Sequence, residues 1–211
     1  MSTPVLYGRQ GWGSVLIEAQ LIWYEIDYEF REVGDLFEDA SARRSLEKIN
    51  PVAQVPTLIL PDGTAMTESA AITLWLAEQT DREDLVPEVG NPDRASFLRW
   101  LVFIVANIYP TYTYADDPSR FVPDAPAREG FKQQVVEYAK RMYRVLDEAA
   151  VGPWFLGERF SAIDIFVCAL SHWRPGPAWF ERETPTLISI ATATKAQPRL
   201  AKIWAQNYPP T

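Results

Sequence analysis

Cysteine and histidine are almost absent from this sequence of 211 residues, which contains one of each, Cys168 and His172. A single cysteine excludes an internal disulfide, and a single histidine argues against a multi-ligand zinc site. Serine–histidine or cysteine–histidine hydrolase chemistry would have to use His172 itself. We therefore expect a protein without a disulfide scaffold and without a bound metal.

Basic residues are also scarce, with 20 lysines and arginines against 28 acidic residues and a formal net charge of -8. Such a balance does not match the electrostatic footprint that a phosphate backbone requires, so nucleic acid is not an expected partner. No apolar run approaches the roughly 20 residues of a membrane span, and residues 1–4 lack the pattern of a signal peptide. These absences predict a soluble, cytoplasmic protein that does not bind a membrane.

What is present is an ordinary globular composition, with 47% hydrophobic and 23% charged residues. In the first eighty residues β-prone runs alternate with runs of helical spacing. The predicted elements are strands at 4–8 and 27–33, helices at 14–24, from Ser41 and at 69–79, and a β-hairpin at 55–67. Their order is βαβαββα, which is typical of an α/β domain.

Strand patterns disappear after residue 81, and prolines separate the remaining helical segments. Helices are predicted at about 92–109, 127–149, 161–173 and 198–207. Charge divides at the same point, since residues 1–80 hold five basic and twelve acidic residues. We therefore expect a domain at 1–80, a linker at 81–91 and an all-helical domain at 92–211.

The segment from Asn50 to Leu58 contains Pro56 at the start of a predicted strand. Proline fits there only if its missing amide is not needed. A cis Val55–Pro56 bond would leave the backbone amide and carbonyl of Val55 unpaired and facing outward. An extended peptide could then bind along this short edge, as in strand addition. The alternative is an edge-strand proline with no ligand.

Glu68 and Ser69 stand at the start of the last helix in the first domain. A helix N-terminus attracts anions through its free amides and its dipole. An α-amino-acid group would suit this pair, with its carboxylate at Ser69 and its ammonium at Glu68. The alternative is that both residues are ordinary helix caps.

These segments together resemble the glutathione S-transferase superfamily over nearly the whole chain. The matching stretches are Val5–Gly8, Asn50–Leu58, Asp62–Gly63, Glu68–Ile72, Phe160–Ile165 and Gln197–Leu200. The Phe160–Ile165 stretch looks like the family's capping box, in which Ser161 and Asp164 cap a helix reciprocally. The resemblance implies an α/β thioredoxin-like N-terminal domain that holds glutathione as cosubstrate, followed by an all-α C-terminal domain that holds a small hydrophobic electrophile. It also implies a homodimer and a role in detoxification.

By the same resemblance, the glutathione-binding residues are Gln54, Val55, Pro56, Glu68 and Ser69. Val55 would bond the cysteinyl part through its backbone, and Glu68 and Ser69 would hold the γ-glutamyl end. Arg43, Arg44 or Lys48 is the family-like choice for the glycyl carboxylate.

The residue that lowers the pKa of the glutathione thiol is less uniform among such enzymes, and here the expected window reads Arg9-Gln10-Gly11-Trp12-Gly13-Ser14. Ser14 is the one hydroxyl in that window and is our predicted donor. It could also be the N-cap of the first helix. Tyr7 at the end of the first strand and the backbone amides of residues 11–14 are the alternatives.

Aromatic residues are dense where the electrophile would bind, namely Trp12, Phe103, Tyr109 and Tyr112. We expect them to form an apolar pocket with hydroxyl donors, and ordinary helix packing is the alternative. The predicted activity is conjugation of the glutathione thiol to a small hydrophobic electrophile. A non-catalytic binding protein, or a glutathione-dependent peroxidase or isomerase, could use the same site.

Overall fold

The computed structural model describes residues 3–80 and 82–209, so Asp81, where the expected linker begins, and the outermost ends of both expected domains lie outside the described residues. The chain forms two compact units. Unit 1 contains residues 1–86 and 193–211, and unit 2 contains residues 87–192. The C-terminal segment therefore belongs with the first unit, whereas the sequence pattern assigned it to the helical domain.

Unit 1 is built on a four-stranded sheet in the order β2-β1-β3-β4. Its elements before residue 86 are β1 (Val5–Gly8), α1 (Val15–Tyr24), β2 (Glu29–Glu32), α2 (Ala40–Glu47), β3 (Thr57–Ile59), β4 (Ala65–Met66) and α3 (Ser69–Glu78). β1 is parallel to β2 and antiparallel to β3, and β3 is antiparallel to β4. Leu6 and Leu58 pair across β1 and β3 and are fully buried. The predicted βαβαββα order and thioredoxin-like sheet are confirmed.

Among the described residues, unit 2 contains helices and the loops that connect them, and no strand. Its elements are α4 (Arg94–Phe103), a π-helical turn (Ile104–Ile108), α5 (Tyr109–Asp116), α6 (Arg128–Ala149), α7 (Ala162–Leu170), α8 (Pro177–Glu183) and most of α9 (Pro185–Lys195). Every residue of α7, Cys168 included, is buried. No helix among the described residues is both long and apolar enough to cross a membrane.

The helix boundaries predicted for unit 2 were wrong in two places, both at prolines. The first long helix does not end at Tyr109, because a π-helical turn joins α4 to α5 and Pro110 stands in the first turn of α5, where a missing amide is tolerated. Helices α8 and α9 were not predicted. Each begins with a proline, a residue read as a break that here starts a helix.

The C-terminal segment carries α10 (Ala201–Asn207) and packs on α1. Ile203 and Trp204 of α10 are buried. Arg199, just before α10, donates a 2.7 Å hydrogen bond to the Trp23 carbonyl and forms a 3.2 Å ion pair with Glu25. A cation at the C-terminal end of α1 also complements the helix dipole. These contacts explain why the segment joins unit 1.

The predicted reciprocal capping box at the start of α7 is confirmed for Ser161 and Asp164. One oxygen of the Asp164 carboxylate accepts from the Ser161 amide at 2.7 Å and from its hydroxyl at 3.0 Å. The other accepts from the Phe155 amide at 2.7 Å. Burial raises the pKa of Asp164 to about 6, and these hydrogen bonds oppose that rise. One carboxylate thus holds both the helix start and the preceding loop.

Candidate functional site

The segments that carry the predicted glutathione contacts lie at one end of the unit 1 sheet. Because β1 and β3 are antiparallel, the end of β1 and the beginning of β3 are at this end. Leu58 of β3 pairs with Met66 of β4. Continued by two residues beyond this last pair, the register would place Glu68 level with Pro56. The sheet therefore brings the Val55–Pro56 edge and the start of α3 together.

The loop that leads into β3 is held by Asn50, which is 4% exposed. Its side-chain amide donates to the Gln54 carbonyl at 3.1 Å and to the Thr57 hydroxyl at 3.0 Å. Its side-chain oxygen accepts from the Val52 amide at 3.1 Å. The Val55–Pro56 peptide bond is cis. The backbone around Val55 is thus fixed by a buried side chain, while the Gln54 side chain is exposed and only its carbonyl is used.

The loop between β1 and α1, residues 9–14, lies directly against Val55. A Cβ atom at Gly13 would stand 3.2 Å from the Val55 carbonyl oxygen and 3.7 Å from Cδ of Pro56. Tyr7, Trp12 and Val55 all pack against the same buried cluster, Val33, Leu36, Leu46 and Ala53. Of the predicted site residues, the structure therefore brings Tyr7, Trp12, Val55 and Pro56 into one neighbourhood.

The Ser14 side chain lies against Gly8 of β1. It is 1% exposed, and its Cβ lies in the space that a side chain at Gly8 would occupy. Its hydroxyl accepts from the Arg9 amide and donates to the Arg9 carbonyl, each at 3.0 Å. It makes no side-chain cap bond to α1. Because its one hydrogen is already used, this geometry favours neither the predicted thiol donor nor the N-cap, and it gives Ser14 the role of closing the 9–14 loop.

Tyr7 is half-buried and its hydroxyl accepts a 2.9 Å hydrogen bond from Arg31. The Arg31 guanidinium lies 5.6 Å from the centre of the Tyr7 ring and is itself held by Glu29. The Tyr7 hydroxyl is thus held at the outer face of the sheet by the neighbouring strand. Its own hydrogen has no acceptor among the described residues.

The 9–14 loop leaves backbone donors without acceptors. Its Trp12 amide donates to the Arg9 carbonyl at 3.1 Å, and its Gly11 amide donates to the Asn207 side chain at 2.8 Å. Within the described residues, the amides of Gly13 and Ser14 have no hydrogen-bond partner. Both lie in the turn that enters α1, where free amides and the helix dipole favour a negative charge.

Glu68 combines backbone strain with an uncommitted carboxylate. Its φ of 64° lies in the left-handed region, which is unusual for a residue with a side chain. It is exposed, and no described residue forms an ion pair or hydrogen bond with its carboxylate. Ser69 follows as the first residue of α3 and is 6% exposed. Strained residues of this kind concentrate at ligand sites.

The predicted pocket aromatics of unit 2 lie within its helix packing. Phe103 is half-buried, edge-on to Trp100 at 5.2 Å, and Tyr109 stacks on Phe166 at 6.2 Å. The Tyr112 hydroxyl donates to the Arg174 carbonyl at 3.0 Å and lies 2.7 Å from the Tyr143 hydroxyl. Burial raises the pKa of Tyr112. The packing alternative therefore describes Tyr112, whose hydroxyl is already used inside unit 2.

Sequence reasoning missed Asn207, the last residue of α10, which contacts the 9–14 loop from 196 positions away along the chain. No local pattern marks it. Sequence reasoning also did not identify Asn50 as the residue that holds the loop before β3, although its position directly before Pro51 could have indicated such a role.

The fold and this sheet end define a protein with a thioredoxin-like glutathione-transferase domain. The family described as "Glutathione S-transferase, N-terminal domain" matches residues 17–79. The uncharacterized GST-like protein YncG of Escherichia coli strain K12 is 39% identical over 203 residues, which are 96% of this chain and 97% of the relative. The chain belongs to the glutathione S-transferase superfamily.

Solved structures agree with this fold. A glutathione transferase homologue from Sulfitobacter with bound glutathione matches with a TM-score of 0.82 at 20% identity, covering 96% of this chain and 97% of the other. A sphingomonad glutathione S-transferase complexed with glutathione matches with a TM-score of 0.76 at 25% identity, covering 94% and 96%.

Proposed function

We propose that this protein binds glutathione at the described end of the unit 1 sheet and transfers its thiol to a small hydrophobic electrophile. The observation that carries the proposal is the convergence of three kinds of recognition group there. They are the fixed Val55 edge, the strained and uncommitted Glu68 at the start of α3, and the free amides of Gly13 and Ser14. The relatives named above are glutathione transferases or GST-like proteins, two of them solved with glutathione bound.

Each part of the tripeptide has a matching group in this arrangement. The cysteinyl backbone pairs with Val55 as a short added strand. The γ-glutamyl ammonium meets the Glu68 carboxylate, and its carboxylate meets the Ser69 end of α3, where the helix dipole favours an anion. Gln54 and Pro56 flank Val55 and shape the edge. The cysteinyl side chain then points toward the 9–14 loop, because that loop lies against Val55.

The thiol is activated by the backbone in this proposal. A free cysteine thiol has a pKa of about 8.5, and hydrogen bonds to the thiolate lower it. The Gly13 and Ser14 amides are the uncommitted donors beside Val55, whereas the Ser14 hydroxyl is tied to Arg9. The thiol proton is released to water, the thiolate sulfur attacks the electrophilic carbon and forms a carbon–sulfur bond, and the leaving group departs with the electron pair of its broken bond to that carbon.

Replacing Glu68 by alanine should weaken glutathione binding at least roughly tenfold, because a charge-assisted hydrogen bond contributes about 1.5–3 kcal/mol. Alanine keeps the same backbone preferences at a positive φ, so the strain at position 68 is not relieved. Titration calorimetry measures the effect. The matched control is Glu78→Ala, which removes the same charge from the other end of α3, where Glu78 is exposed. Equal affinities in both variants would remove Glu68 from the site.

If the amides activate the thiol, Tyr7→Phe should leave the pKa of the bound thiol depressed, as read from its ultraviolet thiolate absorbance. Ser14→Ala should lower the unfolding free energy by about 1 kcal/mol, because the partly buried Arg9 amide and carbonyl lose their partner. In the folded fraction the thiol pKa should stay depressed. A return of the pKa to about 8.5 in Tyr7→Phe, or in a Ser14→Ala variant as stable as the parent, would assign the role to that side chain.

One observation favours a second function, glutathione binding without turnover. The usual position of a side-chain donor is occupied by Gly11-Trp12-Gly13, and the next hydroxyl is committed to Arg9. In that case the bound thiol would keep a pKa of about 8.5 and no conjugate would form. The homodimer and the cytoplasmic location stay predictions of the sequence.

A further inference from the structure

Asn207 is a buried amide of the C-terminal segment that bonds directly to the 9–14 loop. It is 8% exposed, and its side-chain oxygen accepts the Gly11 amide at 2.8 Å. Its side-chain nitrogen donates to the Ile203 carbonyl one turn earlier in α10 at 3.1 Å. Both ends of the side chain are therefore used, so its orientation is fixed by α10 and its oxygen is aimed at the loop.

The backbone conformation of Gly11 allows this close contact. Its φ of +76° is a conformation that side chains rarely adopt, and a Cβ there would stand 3.6 Å from the Asn207 backbone oxygen. The loop therefore approaches the end of α10 closely with its backbone. The bond from Gly11 to Asn207 fixes the loop just before Gly13 and Ser14, whose amides make no hydrogen bond to any described residue.

The same side chain lies near the helix that follows the loop. Burial raises the pKa of Glu18 in the first turn of α1, and the nearby Tyr28 hydroxyl and Asn207 side chain oppose that rise. The Tyr28 hydroxyl donates to Glu18 at 2.9 Å. Asn207 thus bonds to Gly11, which precedes the free amides, and lies near Glu18, which follows them.

We propose that Asn207 is a positioning residue that holds the 9–14 loop so that the amides of Gly13 and Ser14 face the glutathione thiol. The proposal rests on the proposed function above and extends it to the C-terminal segment. Without the Asn207 side chain, the Gly11 amide would lose this acceptor and the loop would shift at Gly11 and Gly13, the two residues of the segment with permissive backbones. The free amides would then no longer converge on the sulfur.

The test is Asn207→Leu, which keeps the branching and the number of side-chain heavy atoms but removes the acceptor for Gly11 and the donor to Ile203. We expect the pKa of the bound thiol to rise by about 1, and kcat/KM at pH 7 to fall about tenfold. Glutathione affinity at pH 6, where the thiol is protonated, should stay within about twofold, because Val55 and Glu68 are untouched. A residue with only a structural role would not separate these two measurements. Asn207→Ala serves the same purpose if the leucine variant does not fold.

The matched control is Arg199→Ala. Arg199 docks the same C-terminal segment onto the opposite end of α1, through the Trp23 carbonyl and Glu25. It should lower stability and leave the thiol pKa unchanged. An unchanged thiol pKa in folded Asn207→Leu, or the same rise in Arg199→Ala, would overturn the proposal.

Amide hydrogen exchange of Gly11 in the parent protein provides a measurement that requires no variant. A protected Gly11 amide is expected, and exchange at the rate of an open loop would contradict the role of Asn207. A parent protein that does not depress the thiol pKa at all would instead contradict the proposed function, so the two failures are distinguishable.

Discussion

Gly13→Ala should reduce kcat/KM with glutathione by between about tenfold and a hundredfold, because small misplacements of reacting groups cost that much. The new Cβ would stand 3.2 Å from the Val55 carbonyl oxygen, so either the 9–14 loop or the Val55 edge has to shift by a few tenths of an ångström. Both are parts of the proposed site. The shift should also raise the pKa of the bound thiol toward its ordinary value, measured by thiolate absorbance.

We expect Gly13→Ala to lose catalytic efficiency while keeping its fold. Its φ is not positive, so alanine fits the backbone, and the gain of about 0.4–1 kcal/mol from restricting the unfolded chain offsets part of the strain of the 3.2 Å contact. Gly130→Ala is the matched control, since Gly130 lies in α6 with nothing within 4 Å of the added Cβ. It should stabilise by the full amount and leave glutathione kinetics unchanged. Parent-like kinetics in Gly13→Ala would mean that glutathione does not use the 9–14 loop.

Asp164→Ala should lower the unfolding free energy by about 3 kcal/mol or more, since each buried donor left without a partner costs about 1–3 kcal/mol. The carboxylate is fully buried and accepts three hydrogen bonds, from the Phe155 amide and from the amide and hydroxyl of Ser161. For a chain of this size the melting temperature should fall by roughly 6–12 °C. Denaturant unfolding and calorimetry measure both quantities.

Asp39→Ala is the control that isolates burial. Asp39 caps α2 and also accepts three hydrogen bonds, from the Ser41 amide and hydroxyl and from the Ala42 amide, but it is exposed. Water can replace its carboxylate, so the cost should be about 1 kcal/mol, as for other helix caps. Equal losses in the two variants would show that burial of Asp164 contributes nothing to its role.

The two aspartates should also respond to pH in opposite directions. The pKa of Asp164 is raised by burial to about 6, so the pH-dependent part of its contribution to stability is fully present below its ordinary pKa and is lost as the pH rises through 6. The difference in unfolding free energy between the parent and Asp164→Ala should therefore be larger at pH 5 than at pH 8, by about 1 kcal/mol. Hydrogen bonds from Ser41 and Ala42 lower the pKa of Asp39, so its contribution is lost only as the pH falls.

The thiol donor marks the limit of prediction from the sequence within the site. The sequence pointed to the 9–14 window and favoured the Ser14 hydroxyl there, because a hydroxyl at a helix start is visible in the sequence and a free amide is not. Which way Ser14 points depends on the path of the 9–14 loop, and here that path turns its side chain toward Arg9 and the sheet. Likewise, the sequence could not show that the Tyr112 hydroxyl bonds to the Tyr143 hydroxyl, because Tyr143 lies on another helix.

The sequence by itself determined the order of strands and helices in unit 1, the Ser161–Asp164 capping box and the superfamily. These features depend on periodicity, proline placement and spacings of a few residues, which all involve residues close together in the sequence. Only the tertiary structure decided that Asn207 reaches Gly11, that the C-terminal segment belongs to unit 1, and that the amides of Gly13 and Ser14 remain free. Hydrogen-bond partners far apart in the chain are chosen by packing, because a buried polar group takes whichever acceptor the folded core brings within 3 Å or so.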